Sequence, residues 1–195
     1  MAFLRSFAPA LVVSVVLPAG TVVRAGADTG VRPGVETLIE EEFRAVAGMR
    51  VGLITNPTGI TSDFRSTIDV LHGAPQVTLV RLFGPEHGVR GEIPAGEHVG
   101  QTTDSVTGLP VYSLYGRTRK PTPEMLESLD AIVFDIQDIG SRSYTYISTL
   151  ALAMEAASEQ GIALIVLDRP NPLGGLRIEG RPLDPKFKSF VDHLP

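Results

Sequence analysis

The chain has 195 residues, a formal net charge of −5, 43% hydrophobic residues and no cysteine. The absence of thiols excludes both a disulfide framework and a thiolate metal site. No stretch gathers the Lys and Arg residues into a basic stripe, which excludes nucleic acid as a partner.

The first residues read as an address rather than as fold. Arg5 gives a basic start, Phe7 to Leu17 is apolar, and Ala25-Gly26-Ala27 is a small-residue cleavage signature. That order predicts a secretory signal peptide over 1–27 and an exported protein, periplasmic or extracellular. The apolar run is about 11 residues and contains Pro9, whereas a membrane-spanning helix needs roughly 20, so no stable membrane insertion is expected. With no cysteine after the run, a lipid-anchored form of export is excluded. The mature chain, 28–195, is long enough for one core-bearing domain. It keeps 15 basic against 22 acidic residues, a net charge of −7 that an anionic membrane surface would repel.

Four apolar runs rich in β-branched residues follow in the mature chain: Arg50–Thr55, Val77–Phe83, Ala131–Asp135 and Ala163–Asp168. Each is nearly continuous rather than alternating, as in strands buried on both faces of a parallel sheet. Helix-period segments lie around them, over Val35–Val46, Phe64–His72, Thr122–Leu129 and Tyr144–Glu159. Strands alternating with helices predict βαβ units and an α/β sandwich around a mostly parallel sheet.

In such sheets ligands bind outside the carboxyl ends of the strands. Polar, turn-forming sequences sit at those ends here: Asn56-Pro57-Thr58-Gly59, Gly84-Pro85-Glu86-His87-Gly88, Asp135 to Gly140, and Asp168-Arg169-Pro170-Asn171. The most informative stretch is Phe83 to Gly100, FGPEHGVRGEIPAGEHVG, whose glycines permit tight turns and close approach to a ligand. Glu86 lies immediately beyond a buried strand, between Pro85 and His87; partial desolvation there suits a general acid. Glu92 and Glu97, in the same loop, are candidates for a second carboxyl. Glycoside hydrolysis usually uses two, about 5 Å apart for retention and about 6.5–9.5 Å apart for inversion.

Bland alternatives stand beside each assignment. A glutamate in a glycine-rich loop is often a solvated turn residue, and His87 would serve equally as a structural hydrogen-bonding histidine. Asp135–Asp138 would serve to cap the next helix, and Asp168-Arg169 would serve as an ion pair closing a strand end. A metal site would have to draw on His72, His87, His98 and His193, and no HExxH spacing is present. Neither G-x-G-x-x-G nor GxxxxGK[ST] occurs, which argues against nucleotide chemistry and leaves no cofactor implied; no G-x-S-x-G elbow supports a serine hydrolase.

The segments GLITNPTG (52–59), FGPEHGVRGEIPAGEHVG (83–100), TGLPVYSLYGRTRKPTPEML (107–126), FDIQDIGSRSYTYISTLALAMEA (134–156), VLDRPNPLGG (166–175) and EGRPLDPKFKSFV (179–191) resemble, in this order, the exo-β-N-acetylmuramidase family, formerly DUF1343. The resemblance implies a Rossmann-like three-layer N-terminal domain over 28–195, and release of N-acetylmuramic acid from the non-reducing ends of peptidoglycan fragments. It places the glutamate of the family's PEHG motif at Glu86 and makes the partner a peptidoglycan-derived saccharide, N-acetylmuramyl-N-acetylglucosamine. Glu97 is then favoured over Glu92 as second carboxyl, with His87 beside Glu86. The sugar's lactyl carboxylate calls for a cation, with Arg90, Arg142 and Arg169 as candidates. Tyr144 and Tyr146 are candidates for a stacking face, and Asn56, Gln137, Asp138 and Asp168 for polar contacts to the sugar. The family's smaller C-terminal domain is expected after His193-Leu194-Pro195 and is absent from this chain, so an exposed apolar patch is expected where it would dock. Two readings from other classes remain: a non-catalytic muropeptide-binding module and a metal-assisted amidase or esterase.

Overall fold

The computed structural model describes residues 30–91, 101–191 and 193. The expected signal peptide, Glu92, Glu97 and His98 lie outside the described residues. All the elements belong to the unit that begins at Val31.

Six strands form one sheet: β1 (Arg50–Thr55), β2 (Thr78–Gly84), β3 (Thr102–Thr103), β4 (Pro110–Ser113), β5 (Ala131–Asp135) and β6 (Ala163–Val166). Their order is β3-β4-β2-β1-β5-β6, and every pairing is parallel except that of the short edge strand β3 with β4. The helices are α1 (Gly34–Glu40), α2 (Thr67–Gly73), α3 (Pro123–Leu126) and α4 (Tyr146–Gln160). The chain builds outward from β1 to β2 and β4, then returns to the other side of β1 for β5 and β6. The strand order therefore reverses between β1 and β5, and in open α/β sheets the crevice at that reversal is where ligands bind.

Both faces of the sheet are covered, which is why the strand sequences are continuously apolar. Val51, Leu53, Leu79, Ala131 and Val133 pack with Val35 and Leu38 of α1 and with Ile68 and Leu71 of α2. Ile54, Phe83, Ile132 and Phe134 face the opposite way, toward Leu126 of α3 and the alanines Ala153, Ala156 and Ala157 of α4. Small side chains on α4 let its backbone come close to the sheet. The result is the expected three-layer α/β/α sandwich with a mostly parallel sheet.

Several element boundaries differ from the sequence expectation for local reasons. The first helix stops at Glu40, because Glu42 and Phe43 adopt positive φ; Arg44–Val46 continues only as a 3-10 turn. The second starts at Thr67, since Phe64 has φ 64° and Ser66 caps the helix by accepting from the Ile68 N–H. The helix expected from Tyr144 begins at Tyr146, after a turn closed by Tyr144 N–H to Ser141 O. β3 and β4 were not anticipated. Leu173, Leu176, Ile178, Phe187 and Val191 of the C-terminal stretch are exposed.

Two sets of charges tie the strand ends together, the first buried and the second partly so. Asp135, the last residue of β5, is fully buried and receives both Nε (2.6 Å) and Nη2 (3.0 Å) of Arg169, which lies beyond β6. Thr67 at the start of α2 donates to the same carboxylate at 2.5 Å, and Arg169 Nη2 also reaches the Ile60 carbonyl at 2.8 Å. In the second set, Arg90 bridges Asp104, in the β3–β4 turn, and Asp69 of α2, with Nε–Oδ1 2.6 Å and Nη2–Oδ1 2.7 Å. The Arg90 guanidinium, assisted by Thr107, holds the Asp104 carboxyl at about 2 against an ordinary 3.8, overcoming the effect of burial.

Removing one partner of a buried ion pair strands the other charge and costs about 3–5 kcal/mol. Arg169→Ala should lose about that much in urea unfolding at pH 7, and a loss below about 1 kcal/mol would contradict this role. For Asp104 the folded-state pKa lies below the unfolded one. Its contribution, about 2 kcal/mol, is therefore complete above pH 3.8 and disappears as the pH falls toward 2. Asp104→Asn should accordingly show a shallower loss of stability between pH 4 and pH 2 than the parent chain.

Candidate active site

At the end of β1, Asn56 is buried (5% exposed). Its Oδ1 accepts from the Thr58 N–H (3.0 Å) and hydroxyl (2.5 Å), and Thr58 Oγ1 accepts from the Gln137 N–H at 2.9 Å. This locks the loop after β1 onto the loop after β5. Gly59 makes the fit possible: a Cβ there would stand 3.0 Å from the Asp135 carbonyl and closer still to the Thr55 hydroxyl. The Asn56 side chain also hydrogen-bonds the Tyr146 hydroxyl at the start of α4.

Beyond β2 the chain turns sharply through Gly84-Pro85-Glu86-His87-Gly88, with Gly88 N–H returning to Pro85 O at 3.3 Å. A Cβ on Gly84 would sit 3.2 Å from Gly88, so the turn closes on itself. His87 is exposed and holds φ 74°, a left-handed conformation rare outside glycine. The turn presents Glu86, half-buried, to the rim.

Sequence reasoning missed the residue that meets Glu86. β4 runs beside β2 with Phe83 opposite Tyr112 and Gly84 opposite Ser113, and Leu114 N–H extends the ladder to Gly84 O at 2.8 Å. That register carries Tyr115 alongside Glu86, to which its hydroxyl is hydrogen-bonded. The bond to Glu86 and the carboxylate's charge push the Tyr115 phenol above its ordinary 10.0, so it stays protonated as a donor. The signal was the apolar run Leu109–Leu114 followed by Tyr115-Gly116, a strand too short to stand out as one.

Tyr146 lies between the two halves of the rim. Burial pushes its phenol up against the opposing Asn56 hydrogen bond, and Tyr144, Glu86 and Asp138 are near enough to push it the same way. Its ring meets Tyr144 edge-on, centroids 5.8 Å apart; Tyr144 is exposed, whereas Tyr146 packs against the α3–α4 face of the core. Asn56, Glu86, Asp138, Tyr144 and Tyr146 are thus brought together, with Tyr115 added. Gln137 is beside them, its amide donating to Asp138 O (2.7 Å) and Pro170 O (2.9 Å).

Three expected ligand contacts are used differently. Arg90 and Arg169 are each committed to carboxylates of the chain itself, so the lactyl role expected of them gives way to an architectural one. Asp168 is exposed and accepts from the Arg169 N–H at 2.9 Å, closing its own turn; the ion pair at this strand end is Asp135–Arg169, not Asp168–Arg169. Arg142 remains exposed. It lines an open cleft of about 540 Å³ with Gly140, Leu173, Arg177, Glu179 and Arg181, and donates to the Arg181 carbonyl at 2.6 Å. Among the described residues no group of three His, Asp or Glu side chains is placed to hold a metal ion, and no helix is long and apolar enough to cross a membrane.

The profile of the family described as exo-beta-N-acetylmuramidase NamZ, N-terminal, matches residues 51–195. The chain belongs to that family. It is 54% identical over 165 residues to the peptidoglycan beta-N-acetylmuramidase NamZ of Bacillus subtilis (strain 168), covering 85% of this chain and 40% of the relative. Two crystal structures of DUF1343 family proteins from Bacteroides fragilis NCTC 9343 share the fold. One has TM-score 0.78 and 59% identity, covering 83% of this chain and 40% of its own; the other has 0.72 and 34%, covering 86% and 42%. The chain thus spans about two-fifths of the length of these relatives.

The Glu86–Tyr115 contact is open to a direct check. Replacing Glu86 by Gln removes the negative charge, so the Tyr115 phenol should titrate nearer 10.0 in an ultraviolet or NMR pH titration. An unchanged Tyr115 titration would mean that the two side chains do not meet in solution.

Proposed function

We propose that this chain forms the catalytic half-site of an exported, exo-acting glycoside hydrolase. Its reaction is release of N-acetylmuramic acid from the non-reducing ends of peptidoglycan fragments, in cell-wall turnover, with Glu86 as the catalytic carboxyl. The observation that carries this reading is the presentation of Glu86 on a closed, strained turn at the sheet's ligand-binding edge, its carboxyl bonded by a protonated phenol. Family membership and 54% identity to a peptidoglycan β-N-acetylmuramidase support the substrate class.

In this reading Asn56 and Gln137 form the floor, while Tyr144, exposed beside Tyr146, offers a face for a sugar ring. Arg142, exposed on the cleft beside the Asp138–Gly140 loop, is the arginine assigned to the lactyl carboxylate, while Arg90 and Arg169 are held by carboxylates of the fold. His87 keeps its place beside Glu86. Export rests on the sequence of residues 1–27.

Chromophore release from a para-nitrophenyl β-N-acetylmuraminide tests the reading. The chain should release para-nitrophenol; with N-acetylmuramyl-N-acetylglucosamine, whose leaving sugar oxygen needs a proton, Glu86→Gln should lower kcat by about 10²–10⁴-fold, the usual worth of a general acid. Arg142→Ala should narrow the preference for the muraminide over the matching N-acetylglucosaminide. Saccharide binding without turnover, and equal in the Glu86→Gln variant, would favour a muropeptide-binding module instead.

A further inference from the structure

We propose that Asp138 is the second carboxyl of this reaction, facing Glu86 across the end of β1, and that the sugar leaves with inverted anomeric configuration. The inference rests on the glycosidase reading above and adds to it a partner for Glu86 and a stereochemical course.

Position is the first argument. The strand order places β1 between β2 and β5. Glu86 lies two residues past the end of β2, Asn56 one past the end of β1, and Asp138 three past the end of β5. Neighbouring strands are about 4.8 Å apart, so the outer two of three stand roughly 10 Å apart. Both carboxyls act on one phenol, that of Tyr146, whose hydroxyl is bonded to Asn56 between them. Carboxyls carried beyond strands roughly 10 Å apart, both near enough to act on one phenol, suit the wider, inverting range of about 6.5–9.5 Å better than the retaining distance of about 5 Å.

The state of the Asp138 carboxyl is the second argument. Oδ1 accepts from the Gly140 N–H at 2.7 Å, which fixes its orientation. Oδ2 is buried and, among the described residues, has no hydrogen-bond partner. A native protein seldom leaves a buried carboxyl oxygen unmatched, because the unmade bond costs free energy. The structural alternative, a cap for α4, is not what the side chain does: its Oδ1 is taken by the Gly140 N–H, and the residue at the cap position is Thr145. The loop is also held in place. Gly140 has φ 72°, and a Cβ there would stand 2.4 Å from the Asn171 amide.

The reaction balances with water alone. The bond between C1 and the leaving oxygen breaks, and the Glu86 carboxyl gives its proton to that oxygen. A water oxygen bonds to C1 from the opposite face, and its proton passes to the Asp138 carboxylate. The Tyr115 hydroxyl donates to the carboxylate left on Glu86. Both carboxyls then exchange protons with solvent, and one water has been added across the bond.

The test follows cleavage of para-nitrophenyl β-N-acetylmuraminide by ¹H NMR before mutarotation, using the whole chain. The α-anomer of N-acetylmuramic acid should appear first. Asp138→Asn keeps an oxygen for the Gly140 N–H, so its thermal melt should match the parent while kcat falls by about 100-fold or more. Azide should restore part of that loss and yield the α-azide, a rescue that a merely structural residue would not show. The β-anomer as first product would overturn the inference, as would Asp138→Asn activity within threefold of the parent; either leaves the glycosidase reading standing. No turnover by the parent chain would remove that reading and this one together.

Discussion

The arrangement of the rim depends on one buried charge. Asp135 closes β5 with no exposure to solvent, and a carboxylate there is tolerable only because Arg169 matches it with two hydrogen bonds and Thr67 adds a third. These partners come from beyond β6 and from the start of α2, while Arg169 also holds the Ile60 carbonyl. The Thr55 hydroxyl binds the Asp135 carbonyl at 2.8 Å, so β1 is drawn into the same knot. Three loops that would otherwise wander over the sheet edge share one anchor, and the crevice between β1 and β5 inherits its shape from it.

Arg90 performs the matching service on the other side. By joining Asp104 of the β3–β4 turn to Asp69 of α2, it fixes the chain just beyond the Glu86 turn and steadies the edge from which Tyr115 projects. The consequence for recognition is chemical. Arg90 and Arg169 are neutralised by the protein's own carboxylates. Arg142 lies on the cleft that borders the Asp138–Gly140 loop, together with Arg177 and Arg181. Architecture and binding thus draw on different cations, and the positive φ of His87 sits at the turn between them.

Much of this was legible in the sequence. β1 and β5 fall on the runs Arg50–Thr55 and Ala131–Asp135 because strands covered on both faces must be continuously apolar. The rule that ligands gather at strand ends pointed to Asn56, Glu86 and Asp138. What escaped were features set by tertiary context. β4 is four residues long and begins with a proline, so it carries no periodic signature, and without it Tyr115 has no reason to be noticed. Arginine beside glycine-rich turns reads the same whether it waits for a ligand or pairs with an aspartate far along the chain. The separation of Arg169 from Asp135 and of Arg90 from Asp69 and Asp104 hid that difference. The first helix was read as too long because its hydrophobic spacing continues through Phe43, where the backbone turns left-handed.

In the proposed reaction the sugar sits over the end of β1, between Glu86 beyond β2 and Asp138 beyond β5. Titrating N-acetylmuramic acid into ¹⁵N-labelled protein and following the backbone amides tests it most directly. Saturable shifts should concentrate at residues 56–59, 84–88, 115 and 137–146. Shifts confined to the separate cavity of about 390 Å³ between α1 and β6, lined by Thr37, Leu38, Ile165 and Leu167, would contradict the account, as would no saturable shift at all.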